Sequence, residues 1–159
     1  MIEWFTTTYI GKLLLSVLVS MVPVIELRGG LPIAVGLDLD PVIATIACVI
    51  GNMFPIPFIL IFLEKILNWM KNWGGIFSKA ALWLEERAEK KGKSLENGLI
   101  LGLIILVAIP LPGTGAWTGA LVSSVLKIPK RKALPAILVG VIIAAFIMLI
   151  VSYGVKAVF

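Results

Sequence analysis

Two stretches of sequence decide the fold: SMVPVIELRGGLP at residues 20–32 and IPLPGTGAWTG at residues 109–119. Each is rich in proline and glycine and lies deep inside an otherwise apolar stretch. Irregular backbone at membrane depth is tolerated only where protein buries it or where it lines a water-filled cavity. Paired interruptions at corresponding places in two halves of a chain are the best sequence pointer to a transporter's binding site.

The composition indicates an integral membrane protein with a single domain over residues 1–159. Of its residues, 60% are hydrophobic and only 14% are charged, whereas soluble domains carry roughly a quarter charged residues. The chain has no histidine and one cysteine, Cys48, which excludes histidine metal sites and a disulfide framework. No nucleophile–base pair or metal-ligand cluster stands out, so we expect no cofactor, no metal and no enzymatic activity. The net charge of +5 arises from basic loops that flank membrane segments, so we expect no nucleic-acid partner.

Four apolar blocks cover about residues 10–37, 41–63, 99–126 and 133–155. The second and fourth hold 23 residues each, which as helices would reach roughly 34 Å and span a bilayer. The first and third blocks carry the broken stretches. Each is either a single bent span or a re-entrant hairpin that returns to the side from which it entered.

Basic residues favour the hairpin. Seven lysines or arginines lie within residues 64–96, and four more follow the third block at Lys127, Lys130, Arg131 and Lys132. Because basic loops stay in the cytoplasm, both ends of the third block should be cytoplasmic. With four full spans, the two basic loops would fall on opposite sides. Asp38 and Asp40 follow the first block, consistent with a first hairpin that enters from outside.

The sequence thus predicts an all-α integral membrane fold, an inverted repeat of a re-entrant helical hairpin plus a transmembrane helix. Repeat 1 covers about residues 10–64 and repeat 2 about residues 98–159. Between them, residues 65–97 place aromatic and charged residues at helical spacing, which is typical of an amphipathic interfacial helix. This helix either connects the repeats or senses anionic lipid. Because the outward faces are apolar all round, a homodimer is a further expectation.

Glu26 and Arg28 are the ionisable residues in the interior of an apolar block. Charges inside the membrane are expensive and by default mark a functional site. One interpretation is a proton-coupling carboxylate, Glu26, beside a substrate-binding cation, Arg28. The other is a buried ion pair that fixes the tip of the first hairpin.

The second broken stretch has no ionisable side chain, so it could bind a ligand only through backbone and neutral groups. Gly113, Thr114, Gly115 and the start of the following helix form a candidate cradle for an anion, as helix N-termini and backbone nests do. Trp117 would line the same mouth or simply pack. Asn52, in the first spanning helix, would contact the hairpin tips or join neighbouring helices.

These two motifs resemble those of the prokaryotic small multi-drug export protein family, over nearly the whole chain. That family resembles a compact branch of the DedA (VTT-domain) superfamily, whose members have paired re-entrant hairpins that face each other across the membrane. The resemblance implies a multi-pass protein of the prokaryotic cytoplasmic (inner) membrane. It also implies lipid scrambling or transport, including recycling of undecaprenyl phosphate, with dependence on the proton-motive force and drug-resistance phenotypes.

The resemblance extends to particular residues. Glu26 matches the acidic residue near the first hairpin of DedA proteins, and Ile109-Pro110-Leu111 matches an Ile-Pro-hydrophobic run in their second hairpin. DedA proteins usually place an arginine two residues later, where this chain has Gly113. One hypothesis is that Arg28 of the opposite hairpin replaces that charge.

Three functions follow as hypotheses. The first is a proton-coupled transporter or flippase of an anionic lipid or amphipathic anion, which would have membrane lipids, the substrate and protons as partners. The second is a small proton/drug antiporter, in which cationic drugs compete with protons for Glu26. The third is a non-transport role in membrane organisation through the amphipathic helix.

Overall fold

The computed structural model describes residues 2–62, 65, 96–111 and 113–158, which form helices joined by short turns, with no strand among them. This confirms the all-α fold. The predicted amphipathic helix over residues 65–97 lies outside the described residues, except for Lys65 and the first residues of the helix that begins at Glu96. The helices are α1 (Ile2–Thr7), α2 (Tyr9–Met21), α3 (Glu26–Gly36), α4 (Pro41–Met53), α5 (Glu96–Ala108), α6 (Ala116–Val125) and α7 (Lys130–Val158).

Two of the helical segments are long and apolar enough to cross a membrane. They are Pro41–Phe62, which continues α4 past a turn at residues 54–55, and Lys130–Gly154 within α7. The first begins sharply because Asp40 caps it: its Oδ1 accepts the N–H groups of Val42 and Ile43 at 3.0 and 3.1 Å. A proline in the first turn lacks only an N–H that would otherwise be unsatisfied.

Helices α2 and α3 form a hairpin whose two ends lie together. The Lys12 side chain, near the start of α2, donates a hydrogen bond from Nζ to the Leu37 carbonyl, directly after α3, at 2.8 Å. With 13 and 11 residues, each arm reaches only about 20 Å at 1.5 Å per residue. The chain therefore returns to the end of the molecule from which it started.

Helix α7 runs in the direction opposite to α4. The Tyr153 hydroxyl, near the end of α7, donates to the Leu39 carbonyl, just before α4 begins, at 2.7 Å. The end of one long helix thus lies beside the start of the other.

The turns after α3 and α6 have the same hydrogen-bond pattern 89 residues apart. After α3, the N–H groups of residues 37, 38 and 39 donate to the carbonyls of residues 33, 35 and 34. After α6, the N–H groups of residues 126, 127 and 128 donate to the carbonyls of residues 122, 124 and 123. The two halves of the chain therefore share their local structure as well as their order of two short helices and one long one.

Glycines bring each long helix close to its own hairpin at matching positions. A Cβ added at Gly51 of α4 would overlap the Val17 carbonyl of α2, and one added at Gly140 of α7 would lie 2.9 Å from the Ile104 carbonyl of α5. Only a residue without a side chain permits such an approach. Apolar side chains from both halves then form one buried cluster, which includes Leu27, Leu31 and Ile137.

Candidate functional site

The two broken stretches contact each other. Glu26, Leu27, Gly115 and Ala116 are buried at this contact, whereas Val24 is 84% exposed. We call residues 22–28 tip 1 and residues 109–117 tip 2; position 112 lies outside the described residues. Each tip joins the two arms of one hairpin, α2 to α3 or α5 to α6. The hydrogen bonds between the tips come from the two ionisable side chains of tip 1.

The Glu26 carboxylate binds the N-terminus of α6. Oε1 accepts the Trp117 N–H at 3.0 Å and Oε2 accepts the Ala116 N–H at 3.3 Å. The Glu26 residue is only 3% exposed, so these donors replace water around the charge. The first N–H groups of a helix have no partner within it, and the helix dipole favours a negative charge there.

The backbone of tip 2 leaves room for that carboxylate. Gly115, directly before α6, is buried and has a φ of 136°. A Cβ at this position would overlap Glu26 Oε2 and would lie 2.7 Å from Cδ. The conformation and the absence of a side chain are therefore both needed.

The Arg28 guanidinium binds the carbonyls of tip 2. Nη2 donates to Ile109 O at 2.9 Å, and Nη1 donates to Leu111 O at 2.7 Å and to Thr114 O. Nη2 also donates to the Thr114 hydroxyl at 2.9 Å and approaches Val107 O at 3.5 Å. The last carbonyls of a helix lack internal partners, and a cation there is favoured by the dipole.

Thr114 and Thr118 hold the carbonyls of tip 2 in place. The Thr114 hydroxyl lies 2.8 Å from Ile109 O and 2.9 Å from Leu111 O, and the Thr118 hydroxyl donates to Gly113 O at 2.9 Å. These contacts keep the irregular backbone folded around the guanidinium.

Each charged group of tip 1 therefore caps a helix end of the other hairpin, an acid at a helix start and a base at a helix end. The sequence left open whether Glu26 and Arg28 pair with each other. Their hydrogen-bond partners among the described residues lie on the other hairpin instead: Ala116 and Trp117 of tip 2 for the carboxylate, and groups within residues 107–114, at the end of α5 and in tip 2, for the guanidinium. The arrangement can bind an anionic oxygen pair at α6, and its own glutamate now does so.

Tip 1 adopts an unfavourable backbone conformation to reach this arrangement. Val24 has a φ of 74° and Glu26 a φ of 49°. A β-branched residue in this region is a genuine outlier, and such strain clusters at binding sites and switches. Neither residue type indicates a positive φ, so this feature could not be predicted from the residue types.

The other predicted site residues are placed differently. Gly113, Thr114 and Gly115 all lie in tip 2. Trp117 contributes its backbone N–H to Glu26, while its indole Nε1 is buried without a hydrogen-bond partner. Asn52 is 3% exposed and its Oδ1 also lacks a partner. No hydrogen bond between described residues joins Asn52 to either tip.

Residue patterns did not single out Ala116, whose contribution is a backbone N–H. The predicted start of a helix directly after Gly115 indicated a binding site for an anion. It did not indicate that the Glu26 carboxylate is the anion bound there. Among the described residues, no group of three or more His, Cys, Asp or Glu side chains could hold a metal ion.

Comparison with known proteins assigns the family. The family model described as "Putative small multi-drug export protein" matches residues 26–147, which include Glu26 and Arg28 of tip 1, all of tip 2 and most of both long helices. No curated protein and no solved structure shows a significant match. The chain belongs to this family, and its family together with its apolar helices identifies it as a membrane protein.

Proposed function

We propose that this family member is a proton-coupled transporter of an anionic lipid or similar amphipathic anion, for example undecaprenyl phosphate, in the prokaryotic cytoplasmic membrane. One observation carries the proposal. The N–H groups of Ala116 and Trp117 at the start of α6 already bind a carboxylate from the other hairpin. A helix start that binds a carboxylate in a buried place suits the phosphate of a lipid head group equally well.

The proposed topology is the inverted repeat. The hairpin α2–α3 is too short to cross a bilayer and return, since each arm reaches only about 20 Å of the roughly 30 Å core. The contact of Lys12 with the carbonyl after α3 supports entry and exit at one face. The contact of Tyr153 with the Leu39 carbonyl supports opposite directions for the two spanning helices. Two hairpins entering from opposite faces would meet at mid-depth, and Glu26 would then lie there.

The proposed coupling is a competition for the α6 N-terminus. An anionic head group that binds Ala116 and Trp117 displaces the Glu26 carboxylate. A buried carboxylate without partners is costly, so the displaced Glu26 takes up a proton. Loss of that proton allows Glu26 to bind α6 again and expels the head group. Substrate and proton would thus enter the site together.

Arg28 has a supporting part in this scheme. Both of its terminal nitrogens donate to tip 2, whereas its Nε is buried without a hydrogen-bond partner. Arg28 therefore offers an anion its positive charge and one free N–H group. The unpartnered Trp117 Nε1 and Asn52 Oδ1 are buried polar atoms that we assign to the substrate path. The apolar surface between hairpins and spanning helices would take the lipid tail.

Alternating access is part of the proposal: one repeat would rock against the other and open the site to each face in turn.

A second candidate is the proton/drug antiporter, which the family description favours. A lipophilic cation would compete with the proton for the Glu26 carboxylate. The positive charge of Arg28 acts on the same carboxylate and opposes that binding, so we rank this function second.

Transport in proteoliposomes tests the proposal. Vesicles with the purified protein and an internal pH dye are given either a lipid phosphate or a lipophilic cationic dye across a pH gradient. The proposal expects proton movement with the lipid phosphate, and its loss in Glu26→Gln. The control is Asp40→Asn, which changes an acid to an amide at a helix cap where both residues serve equally well, and should leave transport unchanged. Lipid-phosphate transport at the normal rate in Glu26→Gln would refute the assignment, and proton movement with the cation alone would favour the antiporter.

A further inference from the structure

Residues with a positive φ reveal an equivalence between the two tips. In the described part of the chain, the six such residues form three pairs 89 residues apart: Val24 with Gly113, Glu26 with Gly115, and Asp38 with Lys127. The third pair lies in the turns whose hydrogen bonds recur at the same spacing. Positions 26 and 115 are therefore equivalent places in the two halves, at the start of α3 and directly before α6.

These equivalent positions also lie against each other. The Glu26 carboxylate occupies the place where a side chain at Gly115 would begin, because a Cβ there would lie 2.7 Å from Cδ and 2.8 Å from Oε1. Two equivalent residues that touch lie close to the axis that relates the halves. The space between them accommodates one side chain.

We propose that positions 26 and 115 share a single carboxylate-sized space, and that Gly115 is the positioning residue that directs Glu26 to the α6 N-terminus. A methyl group at position 115 would displace the carboxylate from the N–H groups of Ala116 and Trp117. The structural part of this inference is independent of transport. Its consequence for proton coupling rests on the function proposed above.

Gly113 provides a matched control. It lies two residues away on the same tip and also has a positive φ, 82°, but a Cβ there would meet nothing within 4 Å. Alanine at either position carries backbone strain, since L residues rarely adopt these conformations. Only alanine at position 115 would contact Glu26. The backbone there, with φ 136° and ψ −168°, also lies in a region essentially restricted to glycine, so the contact is isolated by how the effect of Gly115→Ala changes with the residue at position 26.

Shortening the acid should relieve the effect. Aspartate at position 26 has one methylene fewer, so its carboxylate ends further from position 115. We expect Gly115→Ala to lower the apparent melting temperature in detergent by about 5 °C more than Gly113→Ala. In the Glu26→Asp background this excess should shrink by at least half, while the effect of Gly113→Ala should be the same in both backgrounds.

A second background keeps the test decisive if Gly115→Ala alone fails to fold. In Glu26→Gly no carboxylate remains to collide, so Gly115→Ala should lower the melting temperature less than it does in the unchanged chain, whereas the effect of Gly113→Ala should stay the same. If Gly115→Ala lowers the melting temperature by the same additional amount relative to Gly113→Ala with Glu, Asp or Gly at position 26, the shared space is refuted. An equal effect of the two alanine variants in the unchanged chain would refute it as well.

Transport separates the two proposals. In Gly115→Ala, the pH profile of lipid-phosphate uptake should shift relative to that of Gly113→Ala, and Glu26→Asp should restore it in part. If the melting temperatures show the expected coupling while no variant transports lipid phosphate, the shared space stands and the proposed function fails. If uptake in Gly115→Ala follows the profile of Gly113→Ala, Gly115 does not position the coupling carboxylate.

Discussion

Replacement of Arg28 by methionine should detach the end of α5 from the first hairpin. The guanidinium donates to the carbonyls of Ile109, Leu111 and Thr114 and to the Thr114 hydroxyl. Methionine keeps much of the side-chain volume but no donor, so these carbonyls lose their charged partner. Hydrogen bonds to charged groups contribute about 1.5–3 kcal/mol each, but here they share one side chain and are partly exposed.

The expected loss is therefore smaller than the sum of four bonds. A buried acceptor left without its partner costs about 1–3 kcal/mol, and because Arg28 is only half-buried we expect a decrease of about 2–4 kcal/mol in the free energy of unfolding. For a chain of this length, about 2–4 °C accompanies each kcal/mol, so the apparent melting temperature should fall by about 4–16 °C. The assay is thermal unfolding of the purified protein in detergent at one fixed scan rate, because such unfolding is usually irreversible.

Lys12→Met is the matched control. It also removes a cation that donates to a backbone carbonyl, but it has a single such bond, to Leu37 at 2.8 Å. We expect a loss of about 1 kcal/mol. An Arg28→Met shift no larger than that of Lys12→Met would refute the assignment of Arg28 as the cap that joins the two hairpins.

Three further changes test the backbone and the packing, each by thermal unfolding in the same detergent. Val24→Gly should raise the free energy of unfolding by about 1 kcal/mol, because it removes the strain of a φ of 74°; an unchanged or lower melting temperature would contradict this. Gly51→Ala should lower the free energy of unfolding by about 1–3 kcal/mol because the new methyl would meet a backbone carbonyl. Gly36→Ala should be tolerated, since a Cβ there would meet nothing within 4 Å. Tyr153→Phe should lower the free energy of unfolding by about 1 kcal/mol through loss of the hydrogen bond to Leu39. An unchanged melting temperature would show that this contact does not hold the end of α7.

The sequence predicted more of the fold than of the site. Two spanning helices follow from their apolar length, and the broken stretches follow from their prolines and glycines. Glu26 and Arg28 stood out because charges are rare at such depth. The basic residues around the third block predicted a hairpin, and the contacts of Lys12 and Tyr153 are consistent with the proposed inverted arrangement, which stays a prediction.

The partners of the charged residues could not be predicted in the same way. Glu26 and Arg28 are neighbours along the chain, so an ion pair between them was one of the two interpretations that the sequence allowed. Both instead bind backbone groups more than 75 residues away, and backbone groups leave no mark on residue identity. The glycines of tip 2 predicted an anion cradle, but residue identity does not show that the first hairpin supplies the anion.

The strain in tip 1 was equally hidden. Gly113 and Val24 both have a positive φ. A glycine indicates this conformation in the sequence, whereas a valine does not. Only the 89-residue correspondence between the halves makes the two positions comparable.

The central claim is that substrate displaces Glu26 from α6 and that Glu26 then takes up a proton. Infrared difference spectroscopy of the protein in liposomes tests this most directly, with spectra taken before and after addition of a lipid phosphate. If Glu26 takes up a proton, we expect a new band of a protonated carboxylic acid, which shifts in Glu26→Asp and is absent in Glu26→Gln. Binding of lipid phosphate without any such band, or with the same band in Glu26→Gln, would show that Glu26 does not take up a proton.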